Sequence, residues 1–141
     1  MAGAPYAAFS ALDPFFDIVM EGLRDHVDGD HYFETLAEEV VFEFRYRFPG
    51  WPQVVQGRKA LMDLYAGYAM TLRSADGLIV HHDREAGVVI LEYEVHGVSP
   101  TGHPYDNRFV SIVEVRRRKI TRWRDYMDSL AAMTAIRGPS T

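Results

Sequence analysis

The chain contains no cysteine. That excludes a disulfide framework, a cysteine-based zinc or iron–sulfur site, and a thiol nucleophile. Long apolar runs are missing too: charges interrupt every stretch well short of the roughly 18 residues a membrane-crossing helix needs. No membrane partner is expected. Basic residues are the minority, fifteen against twenty acidic, and the net charge of −5 disfavours nonspecific attraction to nucleic acid. No basic residue precedes Arg24, so the first twelve residues lack the positive region of a signal peptide and a cytoplasmic location is expected.

Several catalytic signatures are likewise missing. Neither G-x-G-x-x-G nor G-x-x-x-x-G-K-[ST] occurs, which removes the common dinucleotide and nucleotide loops. The run from Gly97 to Gly102 approximates a nucleophile elbow, but Thr101 stands where the second glycine is required. There is no H-E-x-x-H. His81, Asp83, His96 and His103 are the one set with metal-ligand chemistry, yet His81 and His82 are neighbours on a strand and point to opposite faces. Plain polar roles fit them better, so neither metal nor cofactor is expected. The basic cluster Arg116-Arg117-Arg118-Lys119 sits at a hairpin tip without a set of stacking aromatics, and a solvated turn is its simplest reading.

What is present is core material. The 141 residues are 48% apolar and 13% aromatic, enough for one domain spanning 1–141 with a core from about 13 to 136. Asp13-Pro14 reads as an N-cap and first helical residue, with Phe16, Val19, Met20, Leu23 and Val27 at helical spacing behind them. Asp28-Gly29-Asp30 ends that helix and starts a short second one that turns Phe33, Leu36 and Ala37 inward. From Val40 to Phe48 the pattern alternates, with Phe42, Phe44, Tyr46 and Phe48 on one face. Pro49 to Pro52 breaks the strand. A third helix then runs from Gly57 through Leu61, Leu64, Tyr65, Tyr68 and Leu72. Strands are expected near 78–85, 88–97, 105–115 and 119–128, then a helix from Ser129 to Ile136 and a Gly-Pro-Ser-Thr tail that frays. Short connections make the strands antiparallel neighbours, so the expected class is α+β: three N-terminal helices on one face of a curved, mostly antiparallel sheet.

Alternation selects the chemistry-bearing residues. Glu92, Glu94 and His96 share one face of their strand, either as solvent-facing residues or as partners of a site. Asn107, Phe109 and Ser111 share a face of the next, and Trp123, Asp125 and Met127 a face of the last. If helices cover that last face, Asp125 is a carboxyl in an apolar enclosure, with Asn107, Glu94 and His96 as candidate partners. Desolvation would raise its pKa and let it exchange protons near neutrality. The other reading is a structural carboxylate paired with Arg124 or Arg108. Phe42, Phe44, Tyr46 and Phe48 are likewise either core or pocket wall.

The segment Lys119-Ile120-Thr121-Arg122-Trp123-Arg124-Asp125-Tyr126-Met127-Asp128, together with Gly57-Arg58-Lys59-Ala60-Leu61, resembles the SnoaL-like branch of the nuclear transport factor 2-like superfamily. The resemblance covers about Asp13 to Ile136. It implies a cystatin-like cone of helices wrapped by a curved sheet around an apolar pocket, and a homodimer through the outer sheet face. Leu91, Tyr93, Val95, Val110 and Ile112 are the candidate outer patch. Limonene-1,2-epoxide hydrolase is similar at Trp-Arg-Asp-Tyr, which implies a proton-donating role for Asp125. Its second aspartate falls on Glu94, its arginine on Glu92, and its water-holding tyrosine and asparagine on Phe42 and Phe44. The tyrosine and base of ketosteroid isomerase fall on Gly22 and near Phe44. Phenazine biosynthesis A/B proteins resemble the chain at Tyr105-Asp106-Asn107-Arg108-Phe109, and their catalytic glutamate matches Asp125. Polyketide cyclases of this type also use a late acidic residue. The resemblance implies cofactor-independent proton transfer on a hydrophobic, oxygen-bearing small molecule by an isomerase, cyclase or dehydratase. Asp125 would be the acid/base, and Asn107, His96 and Glu94 would support it. Phe42, Phe44, Tyr46, Phe48, Trp51, Tyr65, Phe109 and Trp123 would shape the pocket. A noncatalytic ligand-binding or dimerising module of the same fold, or an epoxide-hydrolase-like enzyme lacking the usual arginine, is the alternative.

Overall fold

The computed structural model describes residues 4–138, so the tail expected to fray, 139–141, lies outside the described residues. The chain begins with a 3-10 segment, Ala4–Leu12, that periodicity did not predict, and passes directly into helix α1, Asp13–Leu23. Asp13 is therefore not the N-cap. Leu12 holds that position without a side-chain cap, because the preceding 3-10 turns already engage the backbone there. Pro14 keeps its expected place in the first turn. The expected second helix shrinks to one 3-10 turn, Tyr32–Thr35, and Leu36 and Ala37 belong to the strand that follows.

That strand, β1 (Leu36–Phe44), ends earlier than expected and pairs with a short β2, Val54–Gln56, which alternation missed. Helix α2 is Arg58–Ala66. It stops short of Tyr68 and Leu72 because Gly67 closes it, and Leu72 lies in β3, Thr71–Asp83. Three further strands follow at nearly the expected places: β4 (Val88–Val98), β5 (Pro104–Arg116) and β6 (Lys119–Met127). The last helix, α3 (Ser129–Arg137), is capped by Asp128, whose side chain accepts the Ala131 N–H at 3.1 Å. Only two α-helices thus precede the sheet meander, with 3-10 turns where a third was expected. None is long and apolar enough to cross a membrane among the described residues.

The strands form one sheet in the order β2-β1-β6-β5-β4-β3, antiparallel throughout except for the parallel β1–β6 pair. Register decides which face is which. Val95 lies opposite Asn107, Tyr93 opposite Phe109, Leu91 opposite Ser111, and Ser111 opposite Asp125. Residues directly opposite in an antiparallel pair share a face. All of these belong to the inner face, covered by α1, α2 and the 3-10 segments. Leu91, Tyr93 and Val95 are consequently core residues at 2% exposure or less, and the expected outer patch is reduced to Val110 and Ile112.

Aromatic rings dominate this interior. Phe42 stacks on Trp123 at 5.4 Å between centroids, and Tyr93 stacks on Phe109 at 5.5 Å. Phe15 from α1 meets Tyr32, Tyr65, Tyr93 and Trp123 within 6.3 Å. The basic hairpin tip holds the first helix against the sheet. Arg117 and Arg118 adopt positive φ, and the Arg118 guanidinium donates to the Asp28 carboxylate and to the carbonyls of Asp25 and Val27. Those contacts offset the cost of the left-handed backbone.

Where β3 meets β4, Gly97 lies so close to the Thr71 carbonyl and the Leu72 Cα that a Cβ would collide with backbone. Gly97→Ala is expected to destabilise the protein by about 2 kcal/mol, as overpacking does. Gly67→Ala, which meets only the Leu64 carbonyl at 3.7 Å, should change stability little. Thermal melts of the two variants check the contrast.

Candidate active site

A cavity of about 310 Å³ opens between the inner sheet face and the helices. The end of β1 and the chain beyond it contribute Phe44, Tyr46, Phe48 and Trp51. Tyr65 comes from α2, Tyr68 and Met70 from the connection to β3, and Leu12 and Phe15 from the N-terminal segments. The sheet supplies Val95, Tyr105, Phe109, Asp125 and Met127, and α3 supplies Ala132 and Ile136. No Lys, Arg or His lines the cavity among the described residues, and Asp125 is its one carboxyl group. An anionic ligand would find no counter-charge there.

Asp125 is 3% exposed and sits on the last strand opposite Ser111. Its Oδ1 accepts two hydrogen bonds, from the Ser111 hydroxyl at 2.6 Å and from the Trp123 indole N–H at 2.7 Å. Because the Ser111 proton is committed to Asp125, the Tyr93 hydroxyl 2.7 Å away must donate to Ser111. The result is a short relay, Tyr93 to Ser111 to Asp125. Oδ2 receives no donor among the described residues, so a proton bound by this carboxyl belongs on Oδ2. Burial pushes the pKa of Asp125 up to about 6, and the Ser111 and Trp123 hydrogen bonds keep it from rising further. Both the acid and the base are accessible near neutrality.

Tyr32, Tyr46, Tyr65, Tyr68, Tyr93 and Tyr105 all lie within the field of this carboxylate. Burial is the main reason their pKa values all rise, that of Tyr105 to about 12. Every phenol therefore remains a donor at neutral pH.

Phe44, Tyr46, Phe48, Trp51, Tyr65 and Phe109 line the cavity. Phe42 and Trp123 do not: both are fully buried behind the wall, where Trp123 serves Asp125 through its N–H. Asn107 is buried on the same inner face but makes no contact with Asp125; it binds Tyr105 and the start of α3. Glu94 and His96 point the other way. Their strand turns Tyr93 and Val95 inward, so alternation sends its even-numbered residues to the outer face. There Glu94 lies 3.8 Å from Arg108. His96 hydrogen-bonds to the carboxylates of Asp106 and Asp76, which raise its pKa. Neither can assist Asp125. Ser111, Tyr105 and Tyr68 were missed as site residues. The first two share the alternation of Asn107 and Phe109, so the signal was present, but nothing in the sequence marks hydroxyls as functional.

A sequence profile of the SnoaL-like domain matches residues 9–123. The chain belongs to the SnoaL-like family. It is 32% identical over 114 residues to the Bacillus subtilis (strain 168) protein named "Uncharacterized protein YesE", covering 79% of this chain and 78% of that one. The crystal structure named "Putative Isomerase from Bacillus subtilis" is similar over 91% of both chains, with a TM-score of 0.72 and 29% identity. A phenazine biosynthesis-related protein from Pseudomonas aeruginosa shares the fold at a TM-score of 0.67 and 18% identity, covering 89% of this chain and 84% of its own. The fold is also that of an NTF2-like protein from Burkholderia xenovorans LB400, at a TM-score of 0.63 and 18% identity over 91% of this chain and 94% of that one. The family match ends at Trp123, two residues before Asp125.

The folded protein retains the Asp125 proton between about pH 4 and 6, where the unfolded chain, at the ordinary value of 3.8, has released it. Stability contributed by this group thus falls as pH rises through that window. Asp125→Asn is expected to be about 2 to 3 kcal/mol more stable than the wild type at pH 8, with the gain vanishing below pH 4. Urea titrations across that range measure it, and a pH-independent difference would contradict the buried-carboxyl account.

Proposed function

We propose that this protein is a cofactor-independent enzyme that moves a proton on a hydrophobic, oxygen-bearing small molecule, as an isomerase, cyclase or dehydratase. Asp125 is the acid/base. The observation that carries the reading is the division of labour within its carboxyl group, with Oδ1 held by two donors and Oδ2 met by no donor among the described residues, in a residue that lines the cavity. As a carboxylate, Oδ2 takes a proton from a carbon made acidic by a neighbouring carbonyl, and the electron pair moves into an enolate. As the acid, the same oxygen returns that proton to a different atom of the ligand. The aromatic walls exclude water, and the ring of phenols supplies donors where negative charge develops. Membership of the SnoaL-like family and the name carried by the Bacillus subtilis structure support this class.

An epoxide-hydrolase-like reaction has less support. The position of its second acid, Glu94, is on the outer face, and the water-holding positions are occupied by the phenylalanines Phe42 and Phe44. A noncatalytic binding module draws support from one observation: among the described residues Asp125 has no second carboxylate or histidine beside it in the cavity.

Mass spectrometry of the small molecules that copurify with the protein identifies a ligand retained by the cavity. Incubated in D2O, that ligand should gain deuterium with the wild type, at a rate that rises through about pH 6 when Asp125 acts as base. Asp125→Asn should lower exchange by at least about a hundredfold and leave affinity nearly unchanged. Binding without exchange at any pH would establish the noncatalytic reading.

We also propose that the protein is a homodimer joined through the outer sheet face. Val110 and Tyr126 lie opposite each other there at 37% and 38% exposure, close to Ile79 at 52%. Light scattering should report a dimer, and Val110→Arg should shift it towards monomer.

A further inference from the structure

The cavity has a second polar pole, and it is built around Tyr105. Asn107 determines its character. The Asn107 Oδ1 accepts the backbone N–H groups of Arg108 at 2.8 Å and Asp128 at 3.1 Å, so the orientation of the amide is settled by two obligatory donors. Its NH2 group can then only donate, and its two hydrogens meet the Tyr105 hydroxyl at 2.9 Å and the Asp128 carbonyl at 3.1 Å, with the Met127 sulfur a longer contact at 3.4 Å. Tyr105 is consequently an acceptor in that contact, and its own proton must go elsewhere. No acceptor receives it among the described residues, although Tyr105 is only 2% exposed and lines the cavity. Tyr68 also lines the cavity. A phenol that accepts a hydrogen bond is polarised towards giving up its proton.

Its place along the sheet is distinct from that of Asp125. Tyr105 lies six residues along β5 from Ser111, the partner of Asp125, yet still within the field of that carboxylate. Both groups line one hollow whose other walls are mainly aromatic and aliphatic side chains.

We propose that Tyr105 anchors the ligand by donating its hydroxyl proton to an uncharged carbonyl oxygen at a point on the cavity wall separate from Asp125. The inference rests on the reading of this cavity as the substrate site. It narrows the ligand to a neutral, largely apolar molecule with an acceptor oxygen besides the atoms that exchange a proton with Asp125. Asn107 is a positioning residue that acts through Tyr105.

An isosteric pair tests it: 2-acetylnaphthalene, which carries a carbonyl, and 2-isopropenylnaphthalene, which carries a CH2 in its place. Binding is measured by tryptophan fluorescence at pH 8, where Asp125 is ionised and cannot donate. The wild type should favour the ketone by about three- to tenfold, the worth of one hydrogen bond. Tyr105→Phe should remove that preference and leave hydrocarbon affinity within about twofold, whereas Tyr65→Phe should preserve it. The infrared carbonyl stretch of the bound ketone should be lowered in the wild type and restored in Tyr105→Phe. The proposal is overturned by equal losses for both ligands, by no preference in the wild type, by loss of preference in Tyr65→Phe alone, or by a carbonyl stretch like that in hydrocarbon solvent. Failure of the Asp125 chemistry would show instead as deuterium exchange unaffected by Asp125→Asn, a result that leaves the ketone preference untouched.

Discussion

A carboxyl group with one oxygen satisfied and the other left to the cavity is the constraint around which this protein is organised. Burying a carboxylate is costly unless donors meet it. Here the donors come from adjacent strands, Ser111 of β5 and Trp123 of β6, and both address the same oxygen. Full satisfaction would have lowered the pKa into the ordinary carboxylate range and made a structural anchor. Leaving both oxygens bare would have kept the group protonated. The intermediate arrangement gives a titration near pH 6, at the expense of stability above it.

The hollow beside Asp125 owes its form to aromatic packing. Phe42 stacked on Trp123 and Tyr93 stacked on Phe109 are rigid plates on the sheet, and Phe15 wedges between them from α1. Rings of this size cannot collapse into a gap as flexible aliphatic chains do. The connection after β1 then swings Trp51 across the opening, where it meets Phe44 at 5.6 Å and Tyr65 at 6.5 Å. Charge is kept outside. Arg122 and Arg124 pair with Glu43 and Glu114, and Arg118 and Lys119 tie the hairpin to the segment after α1. Arg118 and Lys119 of the basic cluster are therefore engaged in architecture.

Much of the sheet was legible because a strand half covered by helices alternates in polarity, as β4, β5 and β6 do. The helical segments were less so. Residues 4–12 lack an amphipathic stripe, and the 3-10 turn at Tyr32–Thr35 is too short to show a period. Asp125 stood out as a carboxyl among apolar neighbours on its own face, and most of the aromatic wall followed from the same pattern. Glu94 and His96 were misplaced for a reason alternation cannot remedy: it divides each strand into two sets but does not say which set of one strand meets which set of the next.

The sequence by itself determined which residues on each strand travel together, since side chains on extended backbone must alternate, and it excluded thiol chemistry and the common nucleotide loops. Tertiary structure alone decided that Ser111 faces Asp125, that Asn107 serves Tyr105, and that His96 looks outward. Those outcomes depend on register between strands distant in the chain, where a slip of one residue exchanges every inward side chain for an outward one.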